Sequence, residues 1–275
     1  MEEAPVRRYD VNLSILFTEL QLVRRPEVAR AVGFDAVEFW WPFDAAAPPD
    51  GDVDAFVAAI EDAGVRLVGL NFFAGDMAGG DRGLVSWPGR AGEFTESVEL
   101  AVSIADRLGC KAFNALYGNR VDGASAAEQD ELAIGNLRRA ADAAARIGAT
   151  VLVEPVSGAP HYPLRTAADA LAVIDKTERD NVALLADLYH LSVNGDDLDT
   201  VVTEHVGRIG HVQIADAPGR NEPGTGTLDL ERYLGKLEAA GYNGYVGLEY
   251  KPSGASADSF DWLPKEARAS RGAPA

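Results

Sequence analysis

Short apolar runs of β type alternate along this chain with longer segments whose apolar residues recur at intervals of three and four. The short runs predict eight strands: Val11–Leu16, Ala36–Phe39, Arg66–Asn71, Ala112–Leu116, Thr150–Glu154, Val182–Asp187, Ile209–Ile214 and Tyr245–Glu249. Between them, segments such as VDAFVAAIEDA, EFTESVELAVSIADRL and LERYLGKLEAA are amphipathic, and each would lay one face on a sheet. A glycine stands between helix and next strand at Gly33, Gly64, Gly109, Gly148, Gly207 and Gly241, and left-handed glycine is a common helix stop. Eight βα units with parallel connections predict an α/β fold, a single (β/α)8 TIM barrel. One domain is expected over residues 1–275, with its core at about 9–265 and frayed tails in MEEAPVRR and ARASRGAPA. An open doubly wound sheet is the less favoured arrangement, and the absence of GxGxxG after the first strand removes the usual dinucleotide reading.

The strand ends break the apolar pattern. Glu38, Asn71, Asn114, Glu154, Asp187, Gln213 and Glu249 stand at or beside the C-terminal ends of the strands, where barrels of this kind place their chemistry. A carboxylate closing a Val/Leu run is costly to bury unless it is paired or binds a metal. Glu154, Asp187, Gln213 and Glu249 supply three carboxylates and an amide oxygen, hard donors suited to Mg2+ or Mn2+. Without a cation the three acids would repel one another and their pKa values would rise. Such a centre can hold a carbonyl and a neighbouring hydroxyl and stabilise an enediolate, while Glu154 and Glu249 remove and return the proton. That chemistry suits aldose–ketose isomerisation, or epimerisation beside a carbonyl.

Other polar groups gather near the same rim. His190, three residues beyond Asp187, is a candidate donor to a substrate oxygen or an orienter of a ligand. Arg220 could pair a substrate carboxylate, Lys251 could add positive potential, and Asn71 is a candidate substrate contact or a hydrogen-bond partner within the mouth. His211 alternates with Gln213, so it enters the pocket or is a satisfied barrel histidine. The long stretch FFAGDMAGGDRGLVSWPGR is a candidate lid. GTGT invites a phosphate cradle but lacks a GK[ST] ending, and it reads mainly as a turn feeding a helix that starts near Asp229.

Composition narrows the class. A net charge of -18 over 275 residues argues against nucleic acid and anionic lipid as partners. It also argues, with four scattered histidines, against a repair endonuclease on such a barrel. The single Cys110 excludes an intramolecular disulfide and is expected as inert core. No apolar run approaches a membrane span, so a cytoplasmic protein with a small-molecule substrate is expected, and a homo-oligomer remains open.

The segments NLSILF, GFDAVEFWWPFD, AGDMAGGDRG, PGR, VLVEP, DLYH, HVQIADAPGRNEPGTG and YVGLEYKP resemble the hydroxypyruvate isomerase family of the xylose isomerase-like TIM barrels, from about Asn12 to Pro252. The resemblance implies interconversion of hydroxypyruvate and 2-hydroxy-3-oxopropanoate (tartronate semialdehyde). It implies Glu154 and Glu249 as catalytic residues, and Mg2+ held by these two with Asp187 and Gln213. Similar ketose 3-epimerases carry His where Gln213 stands, which favours the isomerase. The family's Ile-Asn after Glu-Pro is replaced here by Val-Ser, with Ser157 at the Asn position and a shorter connection, which keeps 2-oxo-tetronate isomerases in play.

Overall fold

Every strand pairs in parallel with its sequence neighbour and the eighth pairs with the first, so the sheet closes on itself. The computed structural model describes residues 7–269. In chain order the elements are β1 (Arg8–Asn12), α1 (Arg25–Ala31), β2 (Ala36–Phe39), α2 (Asp50–Ala63), β3 (Arg66–Asn71), α3 (Ala91–Leu108), β4 (Ala112–Asn114), α4 (Ala126–Ala145) and β5 (Thr150–Val153). They continue with α5 (Ala167–Thr177), β6 (Val182–Asp187), α6 (Leu188–Val193), α7 (Leu198–Glu204), β7 (Ile209–Ile214), α8 (Leu230–Ala239) and β8 (Tyr245–Leu248). The fold is a (β/α)8 TIM barrel.

The helices form for the reasons their sequences give. In α3, Phe94, Val98, Ala101, Val102 and Ala105 recur at helical spacing and are buried. Capping boxes start α4 at Ser125 with Glu128 and α5 at Thr166 with Asp169, and Asp229 caps α8. Gly33, Gly64, Gly109, Gly148 and Gly241 have positive φ after their helices. Gly207 does not: it lies inside a 3-10 turn, Val206–Arg208, and the stop expected there is corrected. Among the described residues no helix is long and apolar enough to cross a membrane.

Four strand assignments need correction. The first strand starts at Arg8 and ends at Asn12, because the Asn12 side chain accepts the Ser14 N–H and its carbonyl accepts the Leu16 N–H, turning the chain before Leu16. The fourth ends at Asn114 instead of Leu116, and the fifth and eighth end one residue before Glu154 and Glu249. The tails are also shorter than expected. Arg7 bonds Glu231 and Glu238, Arg8 opens β1, and Arg268 donates to the carbonyls of Val32, Phe260 and Leu263. Residues 1–6 and 270–275 lie outside the described residues.

The registers bring the polar ends to one rim. Asn12 pairs with Glu38, Asn71 with Asn114, Asp187 with Gln213, and Gln213 with Gly247. Gly247 is there because of space: a Cβ would lie 2.8 Å from Glu38 Oε1 and 3.0 Å from Gln213 Cγ.

Candidate active site

Asp187, completely buried at the end of β6, divides its two oxygens between structure and site. Oδ1 caps α6, accepting the N–H groups of Tyr189 (2.8 Å) and His190 (3.3 Å). Oδ2 is buried without a hydrogen-bond partner. The short helix α6 was not expected from the sequence, since six residues carry too little periodicity. Glu154 and Glu249 cap nothing. Glu154 Oε2 accepts from Asn114 (2.6 Å), and Glu249 Oε1 accepts from Asn12 (3.0 Å) and the Trp40 indole (2.5 Å). Gln213 donates from Nε2 to Glu38 (2.7 Å), leaving its Oε1 buried and unpartnered.

One ligand atom from each of Glu154, Asp187, His190 and Glu249 lies within 4.8 Å of the other three. The acids respond as crowded carboxylates do. Burial, then the charges of Glu249 and Asp187, push the Glu154 carboxyl well above its ordinary range. Burial raises Glu249 to about 7, with Asp187 and Glu38 adding to the rise and Arg220 opposing it. Two buried oxygens without donors and three acids converging on a few ångströms are what a hard divalent cation would satisfy, so the residues fit one.

His190 belongs to the same cluster but faces it as a donor. Burial lowers its pKa to about 4, Arg220 and Arg82 assisting against Asp187, so the ring is neutral at pH 7. The Ser157 N–H donates to Nδ1 (3.0 Å), with Ser157 Oγ at 2.7 Å from the same nitrogen. Nδ1 is therefore an acceptor and Nε2 carries the ring proton. Nε2 lies 3.6 Å from Asp187 Oδ2 and 3.9 Å from Glu154 Oε1, aimed into the site.

Arg220 is the cation facing the acids. Its guanidinium bonds Glu249 Oε2, stands 3.8 Å from Asp187 Oδ2 and packs over the Tyr189 ring. It projects from a turn in which the buried Asp216 carboxylate accepts the N–H groups of Ala217, Gly224, Gly226 and Leu228. Every amide of GTGT is thus taken, Gly224 and Gly226 by Asp216, Thr225 by the Glu222 carbonyl and Thr227 by the Ala217 carbonyl, so the turn reading holds. Asn71 and Lys251 line the cavity above the acids, Asn71 buried in its wall and Lys251 exposed at its rim.

That cavity measures about 790 Å3 and is bordered by Ser14, Trp40, Glu154, His190, Arg220 and Glu249. Met77, Ala78 and Arg82, from the long loop expected as a lid, form part of its wall. The base of this loop is fixed, since Ser86 N–H donates to the Tyr117 carbonyl and Asn136 donates to the Val85 carbonyl. Sequence reasoning missed Asn12, Trp40 and Arg82, and it singled out Ser157 without its contact to His190. Only Asn12 left a usable signal: with β1 ending there, every strand closes at or beside a polar residue.

Below the acids lies a second group. His211 Nε2 is 2.9 Å from Glu38 Oε2 and 3.9 Å from Asp10 Oδ2, so His211 is a barrel histidine and lines no part of the cavity. Burial opposes its charge, but the hydrogen bond and charge of Glu38, with Asp10 and Glu249, raise its pKa to about 9.

Residues 26–266 match the family model described as xylose isomerase-like TIM barrel. The chain is 54% identical over 274 residues to a Streptomyces coelicolor protein provisionally named a hydroxypyruvate isomerase, covering 96% of this chain and 98% of that one. It is 34% identical to hydroxypyruvate isomerase of Escherichia coli (93% and 98% covered). It is 33% identical to 2-oxo-tetronate isomerase of Haemophilus influenzae (94% and 98% covered).

Proposed function

Since the chain belongs to the hydroxypyruvate isomerase family of xylose isomerase-like TIM barrels, we propose that it is an isomerase interconverting hydroxypyruvate and 2-hydroxy-3-oxopropanoate. The reading places it in the cytoplasm, where its one buried thiol stays reduced. In the forward direction a carboxylate takes a proton from C3 of hydroxypyruvate. The resulting enediolate receives a proton at C2, and the hydroxyl proton passes from the C3 oxygen to the C2 oxygen. Nothing is oxidised or reduced overall.

The residues divide this work. Glu154 and Glu249 are the base and acid pair, and Glu154 Oε1 is the oxygen left open towards the cavity once Asn114 has taken Oε2. Glu154, Asp187, Gln213 and Glu249 would hold Mg2+ or Mn2+, which polarises the substrate's carbonyl and hydroxyl oxygens when bound. His190 donates from Nε2 to a substrate oxygen. Arg220 exchanges Glu249 for the substrate carboxylate, a bidentate partner of better geometry, and thereby frees Glu249 Oε2. Asn71 and Lys251 complete the substrate's surroundings.

The observation that carries this reading is the meeting of Glu154, Asp187 and Glu249 within 4.8 Å, beside the unpartnered oxygens of Asp187 and Gln213. A second reading, 2-oxo-tetronate isomerisation by the same groups, is favoured by the near-equal identity to the Haemophilus influenzae and Escherichia coli enzymes. Purified protein with Mn2+ or Mg2+ is to be given hydroxypyruvate and 2-oxo-tetronate in parallel, following the aldehyde formed from the first and the 3-oxo acid formed from the second. Faster turnover of hydroxypyruvate is expected, abolished by a chelator. Faster turnover of the four-carbon acid selects the second reading, and turnover of neither refutes both.

A further inference from the structure

The orientation of a buried amide depends on what its nitrogen can donate to. Gln213 Nε2 is 2.7 Å from Glu38 Oε1, and that same oxygen accepts from Asn12 Nδ2 at 3.0 Å. A carboxylate oxygen already accepting offers nothing to the carbonyl end of an amide, so this contact dictates which way Gln213 turns. Its Oε1 is then left on the other side, buried and without a donor. Asn12 is fixed in the same manner. Its Oδ1 accepts the Ser14 N–H, and its Nδ2 bridges Glu38 Oε1 and Glu249 Oε1 at 3.0 Å each.

Glu38 itself has little freedom. Its Oε2 faces His211 Nε2 at 2.9 Å, and a Cβ at Gly69 or Gly247 would lie 3.1 Å or 2.8 Å from its carboxylate oxygens. Glycines on the adjacent strand β3 and on β8, beyond β1, leave the barrel interior wide enough for it. Glu38 is 4% exposed and has no contact with the cavity above the acids.

We infer that Glu38 is a positioning residue: it turns the Gln213 oxygen towards the cation site and, through Asn12, steadies the Glu249 carboxylate. This rests on the metal reading of the site given above. Losing a partner that orients a ligand lowers metal affinity roughly 10- to 100-fold in known metal centres. Without Glu38 the Gln213 amide can flip and present its NH2 to the cation.

The test is Mn2+ binding to chelator-stripped protein, measured by calorimetry in a double-mutant cycle. Glu38→Leu, which removes the acceptor, is expected to weaken Mn2+ binding at least tenfold. The same change made on a Gln213→Glu background is expected to cost less than threefold or to strengthen binding, because a carboxylate has no wrong face to present and its repulsion from Glu38, whose Oε1 lies 2.7 Å from the Gln213 amide nitrogen it replaces, is removed. If the Leu variant does not fold, Glu38→Gln, which keeps the shape and one acceptor, is expected to lose severalfold, again only when residue 213 is Gln. Equal affinities for the unaltered protein and the Glu38 variants would overturn the inference and leave the metal reading standing. A loss that persists undiminished on the Gln213→Glu background overturns it as well, since Glu38 would then act on the fold at large. Failure of the unaltered protein to bind Mn2+ overturns the metal reading, and the inference with it.

Discussion

Glu154→Gln should destroy turnover yet make the metal-free protein more stable. The variant keeps an oxygen for the Asn114 amide, which donates to Glu154 Oε2 at 2.6 Å, and removes one of three crowded buried charges. Glu249 sets the scale. Its pKa rises from 4.5 to about 7, through burial first and then Asp187 and Glu38. A carboxyl raised on folding lowers stability as pH climbs: nothing is lost below 4.5, and the full loss is reached above 7. At 1.36 kcal/mol per unit this amounts to about 3 kcal/mol. Glu154 is raised too, so it adds to the same loss. At pH 8 without metal, Glu154→Gln should therefore be more stable than the unaltered protein by about 1–3 kcal/mol, roughly 2–4 °C in Tm for each kcal/mol. At pH 4.5 the two should converge. Mn2+ at about 1,000 times its Kd should reverse the order, adding about 4.1 kcal/mol to the unaltered protein. Thermal melts of chelated and Mn2+-loaded proteins at pH 4.5, 6.5 and 8 decide the matter. If the chelated Gln variant is the less stable of the two at pH 8, the acids are not crowded and the argument for a cation there collapses.

The remaining predictions concern the walls of the site. Tyr162 is buried, donates to the Glu154 carbonyl and accepts the Tyr117 N–H, both at 2.9 Å. Tyr162→Phe leaves two buried groups unpaired and should cost about 2–4 kcal/mol, read from urea unfolding; an unchanged midpoint contradicts this. His190→Phe should lower kcat by about 100-fold, in the range of losing one positioned proton donor, whereas Ser157→Ala should cost less than about tenfold because the Ser157 N–H still holds Nδ1. Steady-state kinetics with equal losses for both would show that the tautomer argument is wrong. Burial pushes the Cys110 thiol up to about 12, so the native protein should resist alkylation through pH 9 and react only once unfolded; labelling of native protein at pH 8, seen by mass spectrometry, would contradict the packing.

Much of this could be read from period and punctuation alone. A βα repeat whose apolar runs end on polar groups predicts a parallel sheet with those groups at one edge, and eight such units favour the barrel; pairing of β8 with β1 closes that edge into a rim where Glu154 and Glu249 meet. It also singled out Glu154, Asp187, Gln213 and Glu249, since charged or polar residues at the ends of buried strands require a compensating partner whatever the details. Which oxygen of each acid is free was settled only in three dimensions. Asp187 gives one oxygen to the first turn of α6, Gln213 is turned by Glu38 from across the barrel, and Glu249 is shared among Asn12, Trp40 and Arg220. Apart from the local cap on α6, those partners lie on other strands and loops, at distances set by barrel closure and strand register. Local sequence encodes the period of an element and its stop; the direction in which a buried hydrogen bond points depends on a neighbour tens or hundreds of residues away.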